Sequence, residues 1–357
     1  MTQDHPLPDG RKYPRRLWIA IGITTFICVF LIWLDTHKLN HYTDGLFLLT
    51  PFFSGFCTVL LYGEKNITRG RAFGISLLTL ALIFAGLLLL QIDGLICLVM
   101  AAPLVIPVNF VGAIIGRSIV NRRKSAKIAV IVLFIAGIPS LGFLEESSPP
   151  TVHSVVTSIE IAAPPEAVWR HVVTFPKLDE PEELIFKTGI AYPVDATIDG
   201  EGLGAVRHCN FTTGSFVEPI TVWDEPRLLK FSVEEQPAPL KELSYTDIDA
   251  PHLHDFFVSQ EGQFRLQALP NGHTLLEGTT WYYHRIRPAA YWRLWSDHII
   301  HEIHGRVLRH IKKNAEQEIK PIVQHHEAVK SVQMQIQQGF HSIYPSSTCV
   351  HNLHYVK

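Results

Sequence analysis

The chain has few cysteines and little net charge, and both shortages restrict its function. Only five cysteines occur among 357 residues, and the two outside apolar runs, Cys209 and Cys349, show neither CxxC nor zinc-finger spacing. A disulfide between those two is possible but is not favoured. The net charge is −2 and the pI is near 6.8, so we expect no nucleic-acid partner.

Ionisable side chains are scarce before Leu144, where long apolar runs follow one another. Each run has 18 to 22 residues, close to the ~20 needed to cross the hydrocarbon core. We predict spans at 17–34, 45–63, 72–92, 95–116 and 126–144. The runs contain no row of ionisable residues, which disfavours transport or proton relay and favours an anchoring role.

Basic residues alternate between the segments that join these runs. They occur in the N-terminal segment 1–16 and in the second and fourth connections, whereas the first connection has only Lys38 and the third has none. The positive-inside rule then predicts a cytoplasmic N-terminus. Five spans would place everything after Leu144 outside, which in a bacterium is the periplasm. Residues 145–151 form a short acidic linker with two prolines.

The second half has the patterns of a water-exposed α+β domain. Alternating apolar residues predict six strands at 153–162, 205–212, 216–224, 228–234, 259–268 and 274–283. Short helices are predicted at 163–173 and 179–187, and a long helix from Pro288 to Asn314 that ends before Pro321. The predicted architecture is an all-α bundle of five transmembrane helices, followed at 152–320 by an antiparallel sheet around a long helix. Residues 321–357 are expected to form a polar tail.

The long helix has one apolar stripe with the 3.6-residue period, and that stripe should face the sheet. A sheet that curls around such a helix often leaves an apolar cavity. We predict that large apolar side chains of the helix and the strands form the cavity wall. They are Trp223, Trp281, Tyr283, Trp292, Trp295, Ile299, Ile303 and Val307.

Three segments carry a resemblance to a known superfamily. They are IEIAAPPEAVWRHVVTF, GLGAVRHCNFTTGSFVEPITVWDEPRLLKF and the stretch from GQFRLQALPNG to the end of the long helix. Together they resemble the START-like, helix-grip superfamily, also called SRPBCC, which includes polyketide cyclases and lipid-transfer domains. The resemblance implies a cavity for an apolar molecule and supplies no shared catalytic motif. We expect no cofactor.

Three functions remain open at this point. The first is a membrane-anchored domain that binds a lipid or other apolar small molecule. The second is a cyclase, dehydratase or hydrolase that acts on such a ligand, with Glu218, His208, His254 or Asp255 as an acid or base. The third is a sensor or assembly partner without a ligand.

Alternation leaves the orientation of the middle strands open. Either His208 and Asn210 or Arg207 and Cys209 point inward, since neighbouring side chains face opposite sides of a sheet. Glu218 would have a raised pKa if it were buried alone. A salt bridge from Glu218 to Arg207 or Arg265 is the favoured alternative to catalysis.

Histidines cluster in the sequence HIIHEIH on the long helix. His298, His301 and Glu302 share one helix face by their spacing of three and four. That face lies off the apolar stripe, so we expect it to be solvated and to hold no metal. A metal site of these three residues is the alternative, because zinc needs about three convergent ligands.

Overall fold

The computed structural model describes residues 15–120, 124–145, 149–243 and 250–343. The N-terminal half is a helical bundle of α1 (Arg15–Trp33), α2 (Thr50–Tyr62), α3 (Arg69–Leu89), α4 (Leu95–Ile119) and α5 (Lys124–Glu145). Short π-helical segments lengthen α1 to Lys38 and begin the second span at Gly45. Residues 1–14, part of the linker and residues 344–357 of the predicted tail lie outside the described residues.

Four of the described helical segments are long and apolar enough to cross a membrane. They are Arg15–Lys38, Gly45–Tyr62, Arg69–Leu89 and Leu95–Ile119. The fourth continues as one helix through Pro103 and Pro107. In α5 the described apolar stretch, Ile131–Ser140, is shorter than a span. The fifth predicted span therefore stays a prediction.

Helix α2 lies at the centre of the bundle and packs closely on α4. A Cβ atom on Gly55 would lie 2.0 Å from the Asn109 carbonyl oxygen, and one on Gly112 would lie 2.1 Å from that of Phe52. Glycine at these positions lets the two backbones approach, as small residues do in membrane bundles. Apolar side chains such as Phe26 and Leu133 point outward from the bundle. This arrangement suits a lipid environment.

The second half contains a seven-stranded antiparallel sheet with the order β1-β7-β6-β5-β4-β3-β2. Its strands are β1 (His153–Ile161), β2 (Pro193–Asp199), β3 (Val206–Phe211), β4 (Gly214–Asp224), β5 (Leu228–Ser232), β6 (Phe257–Ala268) and β7 (Thr274–His284). The prediction of six strands was wrong, because β2 is additional. Its sequence PVDATID has weak strand signals, and its pairing with β3 stabilises it.

Helices α6 (Pro165–Val173) and α7 (Ala289–Ile343) pack against the sheet. Val307, Leu308 and Ile311 of α7 are at most 6% exposed in the domain core. The backbone of α7 continues as helix beyond Pro321, so the predicted end of this helix was wrong. A proline removes one backbone hydrogen bond, and here that loss does not end the helix. The predicted helix 179–187 is only a 3₁₀ turn, Leu184–Thr188.

The domain rests on the end of the bundle that carries the α1–α2 and α3–α4 connections. The Arg287 amide donates a hydrogen bond of 2.8 Å to the carbonyl of Tyr42, in the first of these connections. The Tyr291 hydroxyl donates to the carbonyl of Met100 in α4. Trp292 packs edge-on against Phe47, with ring centroids 5.0 Å apart. The first turns of α7 are therefore a major docking element.

Candidate functional site

A pocket of about 280 Å³ extends from the space between sheet and α7 into the bundle. The bundle contributes apolar side chains from α1, α3, α4 and the π-helical segment Gly45–Leu49 that precedes α2. They include Ile32, Phe47, Leu80, Ile83, Phe84, Ala101 and Val105. The sheet contributes Phe231 and Phe264, and α7 contributes most of one wall. The two halves of the chain thus build one pocket together.

All five predicted cavity residues on α7 line this pocket. They are Trp292, Trp295, Ile299, Ile303 and Val307. Whether they contact a ligand stays a prediction.

Three predicted cavity residues on the sheet lie elsewhere, and these predictions were wrong. Trp223 packs edge-on against Trp169, with ring centroids 5.6 Å apart. The Lys230 ammonium lies 5.2 Å from the centre of the Trp281 ring. Tyr283 packs under the guanidinium of Arg285. The alternation of β7 explains the last two, since Gly278 and Thr280 take the inward positions of that strand.

A buried ion pair lies on the pocket wall. Arg207 is 2% exposed and donates to the carboxylate of Glu218, which is 5% exposed. Arg207 Nε also donates to the Val173 carbonyl at 3.2 Å, and its guanidinium lies between 5.5 and 5.7 Å from the ring centres of Phe175, Phe231 and Phe264. Desolvation raises the pKa of Glu218, and the Arg207 guanidinium opposes that rise. The pair is structurally satisfied, which disfavours Glu218 as a free acid or base.

The orientation of β3 follows from this pair. Arg207 and Cys209 point inward and are buried, whereas His208 and Asn210 point to the other side. His208 lies 3.4 Å from the exposed carboxylate of Asp199. His208 therefore lies outside the pocket, and its proposed role as an acid or base there was wrong.

His254 and Asp255 are exposed, and both lie on a surface cleft rather than in the pocket. Asp255 has a positive φ of 59°, which marks a turn where this loop approaches β6. The buried histidine of this loop is instead His252, which is 7% exposed and lines the pocket. The adjacency of His254 and Asp255 in the sequence thus did not identify the inward-facing residue.

The histidines of α7 contact threonines of the sheet. His301 Nδ1 lies 2.8 Å from Thr157 Oγ1, and His304 lies 3.1 Å from Thr157 Oγ1 and 2.8 Å from Thr280 Oγ1. Desolvation lowers the pKa of His304 to about 4. His298 and His301 are exposed, and Glu302 is half-buried. Within the described part of the chain, the side chains whose ligand atoms converge as at a metal site are not His298, His301 and Glu302 but a group at the contact between the domain and the bundle.

That group, the interface cluster, consists of Asp93, Cys97, Glu242 and His252. One ligand atom from each lies within 4.8 Å of the others. Asp93 precedes α4, Cys97 is in its first turn, and the other two lie on the loop between β5 and β6. Desolvation raises the pKa of Asp93 to about 7 and also raises that of Glu242. Sequence analysis missed all four residues, because they lie far apart along the chain and follow no metal-ligand spacing.

Comparisons with known proteins concern the second half of the chain. Residues 152–280 match the family described as polyketide cyclase / dehydrase and lipid transport. No curated protein matches the chain. Similar solved structures include norcoclaurine synthase of Thalictrum flavum with dopamine and hydroxybenzaldehyde, at 15% identity and a TM-score of 0.31, covering 48% of this chain and 90% of that one. The Zhui aromatase/cyclase of Streptomyces sp. R1128 has 15% identity and a TM-score of 0.32, covering 47% and 96%.

The family match and the fold agree on the nature of the C-terminal half. A curved antiparallel sheet holds a long C-terminal helix, as the helix-grip resemblance implies. The family match covers the strands from β1 into β7. The C-terminal half of this chain is therefore a START-like domain of the polyketide cyclase, dehydrase and lipid transport type.

Proposed function

We propose that this chain is a membrane-anchored START-like protein that binds a lipid or another apolar small molecule at the outer face of the membrane. The pocket supports this proposal because the bundle and the START-like domain line it together. A ligand held there would contact the sheet and α7 of the domain as well as the ends of the spanning helices. The volume of the pocket, about 280 Å³, is close to the lower end of small-molecule sites, roughly 300–1,000 Å³.

The chemistry of the pocket favours binding over catalysis. Its walls are mainly aliphatic and aromatic, and the buried charges of Arg207 and Glu218 on its wall are already paired with each other. His304 is likewise placed between two threonine hydroxyls. A general acid or base must reach a substrate proton, and a group held in such contacts is poorly available for that transfer.

The proposed topology has five spans and an external domain. The domain contacts the α1–α2 and α3–α4 connections, which are poor in basic residues. At the other end of the bundle, Arg117 Nε donates a 2.5 Å hydrogen bond to the Ile67 carbonyl of the basic second connection. Since α4 ends there and β1 lies with the domain, the chain needs one further crossing, which α5 would provide. Phe134 of α5 packs against Phe52 within the bundle, with ring centroids 5.5 Å apart.

Reporter fusions test this topology directly. An alkaline phosphatase fused to the C-terminus should be active, and a cytoplasmic fluorescent protein fused there should stay dark. The opposite pair of results would place the domain in the cytoplasm and would refute the five-span topology.

A pocket-filling substitution tests ligand binding. Ile303 lines the pocket and is half-buried on α7. We expect Ile303→Trp to fill the site, whereas Ile303→Leu keeps the side-chain volume and serves as the matched control. The full chain would be purified in detergent, washed to remove annular lipid, and analysed by native mass spectrometry and by titration with a fluorescent fatty acid.

The wild type and Ile303→Leu should retain about one ligand per chain and bind the probe saturably, whereas Ile303→Trp should lose at least about tenfold in affinity. Size-exclusion profiles and Tm identify any variant that does not fold. Equal binding by a folded Ile303→Trp variant and the control would refute the pocket as the binding site.

A further inference from the structure

The interface cluster joins the two halves of the chain with four side chains of metal-ligating type. Cys97 Sγ and His252 Nε2 are 2.9 Å apart, and the ligand atoms of Asp93 and Glu242 lie within 4.8 Å of both and of each other. In a tetrahedral site with bonds of 2.0–2.3 Å, neighbouring ligand atoms are about 3.3–3.8 Å apart. Small side-chain rotations would therefore bring all four onto one ion.

Glu242 supplies an independent sign of a missing ligand. Its side chain is 5% exposed, and Oε2 accepts a hydrogen bond of 3.2 Å from the Ile96 amide. Its other oxygen, Oε1, is buried and accepts no hydrogen bond from the described residues. A buried carboxylate oxygen without a partner is costly, and binding a cation would remove that cost.

His252 is oriented as a metal-bound histidine usually is. Its Nδ1 lies 3.2 Å from the hydroxyl of Tyr42, in the α1–α2 connection, and its Nε2 points to Cys97. An outer partner on the second ring nitrogen fixes the ring and leaves the first nitrogen for the metal. The Tyr42 ring also packs against the imidazole, with centroids 5.2 Å apart.

The backbone beside the cluster leaves room for the Glu242 carboxylate. A Cβ atom on Gly94 would lie 2.0 Å from Glu242 Oε2 and 2.1 Å from its Cδ. A side chain at position 94 would therefore displace this carboxylate from its place at the start of α4. The same turn places Asp93 at the cluster, where its Oδ1 accepts from the Gly94 amide at 2.9 Å.

From this geometry we propose that Asp93, Cys97, Glu242 and His252 bind one Zn²⁺ ion that fastens the START-like domain to the membrane bundle. A thiolate, an imidazole and carboxylates are ligands that zinc accepts, and four protein ligands are typical of a closed, structural zinc site. Two ligands come from the bundle and two from the domain. Zinc would thus stabilise the docked arrangement that forms the shared pocket.

Metal analysis of the full chain tests the site. The protein would be purified in detergent through a tag without histidine, stripped with a chelator, loaded with Zn²⁺ alone, passed over a desalting column and analysed for metal. Wild type should retain about one zinc per chain, whereas Cys97→Ser and His252→Gln should each retain at most about a tenth of that. His254→Gln is the matched control on the same loop, and it should bind zinc like the wild type.

Cobalt substitution tests the wild-type protein without any change that endangers folding. Co²⁺ loaded in place of Zn²⁺ should give thiolate-to-cobalt charge-transfer absorption, and Zn²⁺ should displace it. Zinc loading should also raise Tm in the wild type and not in His252→Gln. The proposal would be overturned by a wild type that holds no zinc after desalting, by cobalt without the thiolate band, or by equal zinc in His252→Gln and His254→Gln.

Discussion

Replacing Arg207 alone should sharply destabilise the START-like domain. Arg207→Met would leave the Glu218 carboxylate buried without its partner, since both residues are at most 5% exposed. Breaking a buried ion pair by removing one partner costs about 3–5 kcal/mol. The hydrogen bond from Arg207 Nε to Val173 would be lost as well, which adds about 1 kcal/mol. The methionine would keep most of the contact with the three surrounding phenylalanine rings.

Removing both charges should cost much less. In the double variant Arg207→Met, Glu218→Leu no charge remains buried, and replacing a buried ion pair by apolar residues of similar size is often neutral or stabilising. The expected order of stability is therefore wild type close to the double variant, with Arg207→Met well below both. Glu218→Leu alone should also be low, because it leaves the guanidinium buried and unpaired.

The assay is thermal unfolding of the full chain in detergent, followed by tryptophan fluorescence. Five of the seven tryptophans, from Trp169 onward, lie in the START-like domain, so the signal reports mainly on that domain. For a domain of this size 1 kcal/mol shifts Tm by about 2–4 °C, so the combined loss of about 4–6 kcal/mol predicts a fall of about 8–24 °C. An Arg207→Met Tm within about 2 °C of the wild type, or a double variant as unstable as Arg207→Met, would refute the reasoning.

Two further predictions concern the domain contact and pH. Gly94→Ala should push the Glu242 carboxylate away from α4 and lower the free energy of unfolding by about 1–3 kcal/mol. Gly74→Ala is the control, because a Cβ there meets nothing within 4 Å, and its Tm should be unchanged or higher. Equal Tm values in the two variants would contradict this prediction. Desolvation lowers the pKa of His304 in the folded state to about 4, from about 6.5 in the unfolded state. Above pH ~6.5 the side chain is neutral in both states and stability is greatest. As the pH falls from there towards 4, the unfolded state binds the proton first, so the free energy of unfolding decreases. His304→Gln should therefore flatten the decline of Tm over this pH range. His298→Gln, which changes an exposed histidine of the same helix, should keep the wild-type decline, and identical slopes in all three proteins would contradict the assignment.

The sequence by itself determined the features that depend on short-range patterns. Apolar runs of about 20 residues without charges predict membrane spans, because that length crosses the hydrocarbon core. The stripe from Trp292 to Val307 identified the face of α7 that lines the pocket, because a helix repeats every 3.6 residues. The three segments that resemble the START-like superfamily likewise identified the START-like domain from sequence alone. All of these signals lie within one element or between neighbouring elements.

Other features depended on partners that lie far away along the chain. Alternation placed Arg207 and Cys209 on one face of β3, but only packing against Phe175, Phe231 and Phe264 decided that this face is the inner one. β2 was missed for the same reason, since its strand state comes from pairing with β3 rather than from its own residues.

The interface cluster shows most clearly what the sequence alone could not predict. Cys97 and His252 are 155 positions apart, and no spacing rule connects a residue in the first turn of α4 with one on a loop of a separate domain. Only the docking of the START-like domain on the bundle brings their side chains together and buries Glu242 between them. Local periodicity fixed which faces of the helices and strands are apolar. The tertiary structure decided which of those faces meet, because that choice depends on the complementary shape and charge of surfaces formed by distant segments.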